Sequence, residues 1–308
     1  MCRDKTNQSE YAIRQTASHL MNRFEKAGIR PDPRRGQNFL IDLNLVELLA
    51  RSAEITKEDV VLEVGTGTGS LTAMLADQAA HVITVEVDTR MFDLAQESLM
   101  DYTNVTFLRL DALKNKNRLN PQLCDSITQR LALNPNASFK LVANLPYNIA
   151  TPILSNLLVS PPTPDLMVAT IQKELADRMT ANPSTKSYNA LSIWMQVQCD
   201  VQVVRVMPPT VFWPQPKVQS AIVKIQPIPA QRARIPDLGF FHRTVRALFF
   251  HRRKYLRSVL LSAFKEQFDK PQVDAILAEA GLKGDERAEQ LSVEKILELC
   301  EIARSQLS

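Results

Sequence analysis

From Val60 onward, short runs of β-branched and apolar residues alternate with stretches that repeat their apolar positions at helical spacing. The runs are Val60–Val64, His81–Glu86, Val105–Leu110, Phe139–Asn144 and Leu166–Ile171. Alternation of this kind predicts parallel strands linked by crossover helices, that is, an α/β, doubly wound sheet. Two further runs, Val201–Met207 and Ser220–Ile225, are joined through a proline-rich turn and predict an antiparallel hairpin at the sheet edge. Composition shifts at Pro227, Pro229 and Pro236, as in a linker. Beyond it, Phe240–Phe268, Gln272–Ala280 and Val293–Arg304 carry helical periodicity and predict a small C-terminal helical domain. At the other end, Ile13, Ala17, Leu20, Met21 and Phe24 fall on one face of an amphipathic helix. The expected organisation is an N-terminal helical extension over residues 1–28, an α/β domain over 29–230 and a helical domain over 236–308.

Composition narrows the class. With 308 residues and 45% hydrophobic positions the chain can bury a full core. No run approaches the roughly 18 apolar residues of a membrane span, and no apolar block resembling a secretory signal stands near the start, so a cytoplasmic location and no membrane partner are expected. Cys2, Cys124, Cys199 and Cys300 have no paired spacing, which argues against a zinc site or a disulfide framework. The formal charge of +4 says little alone. Its distribution says more: Arg30, Arg34 and Arg35 form one cluster, and Arg243, Arg246, Arg252, Arg253, Lys254 and Arg257 form another. A cationic run is usually a solvated face, but two of them flanking one domain fit a nucleic-acid partner.

The first strand leads into Glu63-Val-Gly65-Thr-Gly67-Thr-Gly69. Glycines at this spacing permit a sharp strand-to-helix turn and let the backbone come close to a ligand. A dinucleotide fingerprint would place Gly or Ala where Ser70 stands, so the spacing leans away from a nicotinamide cofactor. Glu86 ends the second strand, where a carboxylate can accept both hydroxyls of a ribose, and Asp111 follows the third strand, where it could meet an adenine amino group. Ligand-type residues at three successive strand ends point to one crevice. This set resembles class I, Rossmann-like methyltransferases that use S-adenosyl-L-methionine; the resemblance implies that Gly65 and Gly67 line the methionine portion, Glu86 the ribose and Asp111 the adenine.

The fourth strand ends in Asn144-Leu145-Pro146-Tyr147, which resembles the Asn/Asp-x-Pro-Tyr/Phe motif of enzymes that methylate amino groups on planar bases. The N6 lone pair of adenine is delocalised into the ring, so acceptors must hold its hydrogens and draw the nitrogen toward tetrahedral geometry. Asn144 offers a side-chain carbonyl and Leu145 a backbone one; Pro146 fixes the turn, and the Tyr147 ring can stack on the base. Phe212, in Phe212-Trp-Pro-Gln-Pro-Lys217, is the candidate for the opposite wall of the base pocket. A base to be modified must be flipped out or already unpaired.

Gly36-Gln-Asn38-Phe-Leu40, Glu63 to Gly69, Asn144 to Pro152, Gln172-Lys-Glu174, Pro214 to Ala221, Arg252-Arg253-Lys254 and Arg287 to Ser292 together resemble the KsgA family of small-subunit rRNA adenine dimethyltransferases. The resemblance implies dimethylation of two adjacent adenosines near the 3′ end of 16S rRNA during assembly of the small subunit, by an enzyme expected to be a monomer. It also implies that Asn38 and Leu40 close over the cofactor beside Gly65, Glu86, Asp111 and Asn144, and that Arg252, Arg253 and Lys254, on a C-terminal helix, bind RNA. Arg35 replaces a common aromatic, Ala150 replaces a usual Ser, residues 1–28 have no family counterpart, and the polar segment between Lys114 and Ser138 reads as a long surface loop. Two alternatives share the same apparatus: a large-subunit rRNA dimethyltransferase conferring antibiotic resistance, and a non-catalytic RNA-binding assembly or transcription factor.

Overall fold

The computed structural model describes residues 17–32 and 36–307. Cys2, Ile13, Arg34 and Arg35 therefore lie outside the described residues. The chain divides into two compact units, one formed by residues up to Lys173 with Gln202–Gln226, the other by Glu174–Val201 with Pro227–Ser308.

The first unit is built on a mixed sheet of seven strands, numbered here in chain order: β1 (Val60–Val64), β2 (His81–Glu86), β3 (Val105–Arg109), β4 (Phe139–Asn144), β5 (Leu166–Gln172), β6 (Cys199–Met207) and β7 (Ser220–Pro227). Their spatial order is β3-β2-β1-β4-β5-β7-β6. The first five are parallel, and β7 runs antiparallel to β5, with Ser220 opposite Gln172 and Ile225 opposite Met167. Every residue of β1 and β2 is buried, as expected of strands covered on both faces. The apolar runs predicted this arrangement, and the strand bounds agree to within a residue or two.

Two of the helices between strands begin where a side chain satisfies the first free amides. Asp88 caps Thr89–Ser98 by accepting from the amides of Arg90 and Met91, and Asn120 caps Pro121–Leu131 by accepting from the amide of Gln122. This second helix corrects the expectation of a surface loop between Lys114 and Ser138. Only Leu123 and Ile127 are buried on it, and a single i, i+4 pair among polar residues is a weak periodic signal.

Chain order turns back between β1 and β4. Strands added after β1 grow to one side, and β4 begins the other, so the loops at the carboxyl ends of these two neighbours diverge and leave a crevice. At the opposite end of β4, Lys140 is paired with buried Asp59 at 2.7 Å and donates to the carbonyl of Glu54. That buried charge is fully partnered and serves the sheet.

The N-terminal helix spans Ala17–Lys26 and buries Leu20 and Phe24. Met21, expected on the same face, is exposed; the face that packs is the narrower one carrying i and i+4 residues. Phe39–Leu40 pairs antiparallel with Phe212–Trp213 in a two-residue ribbon.

In the second unit the periodic run from Phe240 to Phe268 is not one helix. Helices Leu238–Phe250 and Leu256–Ala263 are separated by a turn closed by the Lys254 amide donating to the His251 carbonyl. Arg252, Arg253 and Lys254 stand in that turn, not on a helix. Among the described residues no helix is long and apolar enough to cross a membrane.

Candidate active site

A cavity of about 320 Å³ opens at the carboxyl ends of β1, β2 and β4. Gly65, Gly67, Glu86, Asp111, Asn144, Asn38 and Leu40 all line it. The sequence had drawn these residues together from five separate segments. Leu145, Tyr147 and Phe212 are not on its wall.

Gly65, Gly67 and Gly69 all have positive φ, between 56° and 89°. The requirement is sharpest at Gly69, where an added Cβ would sit 2.8 Å from the Leu99 side chain. At Gly67 the Phe39 ring already lies 3.4 Å from where a Cβ would be.

Glu86 is only 7% exposed. Its carboxylate accepts from the Gly67 amide at 3.1 Å and from the Asp88 amide at 3.0 Å, so the second strand end and the glycine loop are fastened to each other. Burial pushes its pKa up, against the effect of these amides. Asp111 is exposed, and one oxygen accepts from the Leu113 amide at 2.9 Å.

Glu63 is the site residue that motif reading passed over. It lies in the middle of the first motif, is 1% exposed and lines the cavity. One oxygen accepts from the hydroxyls of Thr72 at 2.5 Å and Thr84 at 2.7 Å. Burial raises its pKa to about 8, aided by the nearby charge of Glu86. The available signal was a carboxylate inside an otherwise apolar strand, since such a group is rarely buried without a partner or a task.

Asn144 ends β4, and its amide nitrogen donates to the Asn38 carbonyl at 2.9 Å. Only the nitrogen of a carboxamide can donate to a carbonyl, so this bond fixes the side chain's orientation and leaves Oδ1 as the outward acceptor. The Leu145 amide donates to the Thr170 carbonyl at 3.2 Å, which ties the turn to β5. The Tyr147 hydroxyl shares a 2.5 Å hydrogen bond with Ser220 at the start of β7. Its ring is thereby held from the far end. Burial raises the phenol's pKa.

Phe212 does not line this cavity. It is 2% exposed and packs in the apolar cluster containing Leu40, Val46, Leu49 and Ile222. Its alternating place in the ribbon sends it into the core, and its neighbour Trp213 faces the other way. Trp213 lies 5.5 Å from Phe24 and 6.4 Å from Phe39, and Phe24 meets Phe39 edge-on at 5.1 Å, all between ring centroids. The N-terminal helix thus backs the aromatic ring that rests on Gly67.

In the second unit Arg252 donates to the carbonyls of Lys186 and Tyr188, each at 3.0 Å, and pairs with Glu289 at 3.3 Å. Its charge is committed to holding the turn. Arg253 and Lys254 are exposed, and among the described residues neither has an ion-pair partner.

A family model described as ribosomal RNA adenine dimethylase matches residues 31–304. The chain is 39% identical over 266 residues to the ribosomal RNA small subunit methyltransferase A of Lactococcus lactis, covering 86% of this chain and 87% of that one. The protein of the same name from Lactiplantibacillus plantarum is 40% identical over 274 residues, covering 88% and 90%. Among solved structures, a dimethyladenosine transferase from Plasmodium falciparum superimposes with a TM-score of 0.73 at 25% identity, covering 86% of this chain and 97% of that one. The 23S rRNA methyltransferase ErmE gives a TM-score of 0.60 at 24% identity over 86% and 98%, a likeness of fold alone.

Proposed function

The chain belongs to the ribosomal RNA adenine dimethylase family, and from that premise we propose that it transfers methyl groups from S-adenosyl-L-methionine to the N6 atoms of two adjacent adenosines near the 3′ end of 16S rRNA, within the small ribosomal subunit or its assembly intermediate. The observation that carries the reading is Asn144, its amide nitrogen spent on Asn38 and its oxygen left to accept, at the rim of a cavity whose buried ionisable groups are the carboxyls of Glu63 and Glu86. The small-subunit substrate is supported by the names of the relatives at 39–40% identity.

The cavity suits a cationic nucleoside. Glu63 and Glu86 lie in it with raised pKa values, and a positively charged ligand favours their ionised forms. Glu86 is the candidate for the ribose hydroxyls, Asp111 for the adenine, and the amides of the glycine loop for polar groups of the methionine portion. When bound, S-adenosyl-L-methionine supplies an electrophilic methyl group on a sulfonium sulfur. Asn144 Oδ1 and the Leu145 carbonyl then need only hold the two hydrogens of the target amine, and Tyr147, braced by Ser220, offers its face to the unpaired base. Proton loss afterwards can go to solvent, since no strong base is required once the amine is placed.

A direct test incubates the protein with labelled S-adenosyl-L-methionine and either unmethylated small subunits or large subunits, followed by mapping of the modified nucleoside. Label in N6-methylated adenosines of 16S rRNA is the expected result. Label confined to large-subunit RNA reverses the substrate, and none on either leaves a binding factor.

Cofactor binding should also follow pH in a definite direction. With its pKa raised to about 8 by burial, Glu63 is protonated at pH 6 before a cationic ligand binds. Raising the pH from 6 toward 8 therefore removes the cost of ionising it, and Kd should fall by up to about tenfold per unit, then level off. Titration calorimetry at several pH values reads this; Glu63→Gln should flatten the profile, and an unchanged slope in that variant moves the dependence elsewhere.

A further inference from the structure

Resting on the RNA-directed reading above, we propose that the second unit carries a base-stacking platform for unpaired RNA, made by Phe250 and Tyr255 and flanked by the cations Arg243, Arg246, Arg253 and Lys254. Phe250 is the most exposed large hydrophobic residue of the described chain, at 81%, and Tyr255 is 55% exposed. Neither serves the core. The helix Leu238–Phe250 buries Phe241, Thr244, Val245 and Leu248, whereas Arg243, Arg246 and Phe250 are exposed. Positions i, i+3 and i+7 fall within about 60° of one another around a helix, so these three form one stripe that leads to the helix end.

The chain then turns, closed by the Lys254 amide on the His251 carbonyl, and Tyr255 begins the next helix. The turn is held from inside the unit. Arg252 anchors it through Lys186, Tyr188 and Glu289, and Tyr255 forms a backbone bridge with Arg287. Phe250 also packs edge-on against His251 at 4.7 Å. Two exposed aromatic residues are thus presented on a fixed support, with cations before and between them.

A phenyl ring in water gains nothing from that position. Single-stranded nucleic acid accounts for it: phosphates meet the arginines and lysine, and unpaired bases stack on the rings, which is the combination that sequence-tolerant single-strand binders use. Paired bases cannot offer their faces, so a duplex would engage the cations alone.

The full-length protein can be titrated against fluorescently labelled oligoadenylate and against its duplex with oligouridylate over a range of salt concentrations. Phe250→Ala and Tyr255→Ala should each weaken single-strand binding about fivefold or more with the salt slope unchanged, and leave the duplex unaffected. Phe250→Trp should restore affinity. Arg243→Ala and Arg246→Ala should instead flatten the slope, by about 0.7 each. Equal single-strand binding by wild type and both aromatic variants overturns the platform, as does an equal loss on the duplex. So does an aromatic effect confined to vesicles of phosphatidylserine and phosphatidylcholine, since the surface would then be lipid-directed. Methylation of small subunits, measured in parallel on the wild type, keeps the two readings apart. Normal methylation with unaltered Phe250→Ala binding removes only the platform, whereas stacking without methylation removes only the assigned reaction.

Discussion

Replacing Asn144 with alanine is expected to lower methyl transfer at saturating cofactor by about 10²- to 10³-fold, the loss typical of one preorganised hydrogen-bonding group aimed at developing charge. The substitution removes two things at once. One is the acceptor Oδ1, and the other is the 2.9 Å bond from Nδ2 to the Asn38 carbonyl. Asn144→Asp separates them, because a carboxylate still accepts but cannot donate to Asn38. If the acceptor dominates, Asp retains more activity than Ala; if the tether to Asn38 dominates, both lose cofactor affinity together. Single-turnover rates with small subunits, beside calorimetric Kd values for cofactor, distinguish these cases. Near-normal transfer by Asn144→Ala would remove Asn144 from the chemistry.

Glu86→Ala should have its largest effect on binding. A carboxylate accepting two ribose hydroxyls makes charged hydrogen bonds of about 1.5–3 kcal/mol each, so the cofactor Kd should rise by roughly 10²-fold or more. The variant also releases the amides of Gly67 and Asp88, which loosens the glycine loop itself. Glu86→Gln keeps one acceptor and should fall between. The rate at saturating cofactor should change far less than Kd; an equal fall in kcat with no change in Kd would place Glu86 outside the ribose site.

These two residues were legible because their positions are local consequences of strand ends. A run such as His81–Glu86 predicts both a buried strand and the place where it stops, and in a doubly wound sheet the stopping points of successive strands converge. The burial of Phe212 is less legible, for a different reason. Its neighbourhood of prolines and aromatics indicates a stiff loop, but which ring faces the core depends on pairing with Leu40, far away in the chain. The same holds for Met21, exposed although its spacing matches Phe24, and for the helix break at His251, where residues on both sides are equally periodic. Glu63 was in plain view within the motif. Its burial and its two threonine donors, one of them on the next strand, appear only once that sheet is assembled. Periodicity reports which face of an element is apolar; it carries no information on which distant element meets that face.

The aromatic contact among Phe24, Phe39 and Trp213 bears on when the cofactor site comes into existence. The roof over the glycine loop is a strand whose partner, Phe212–Trp213, is made only after all five parallel strands have left the site of synthesis. A growing chain therefore completes β1, β2 and β4 with Phe39 backed by Phe24 but not yet by Trp213. A chain truncated before Phe212 loses that strand partner and one of the two rings behind Phe39, and is expected to hold the proposed cofactor more weakly than the full chain in a binding titration.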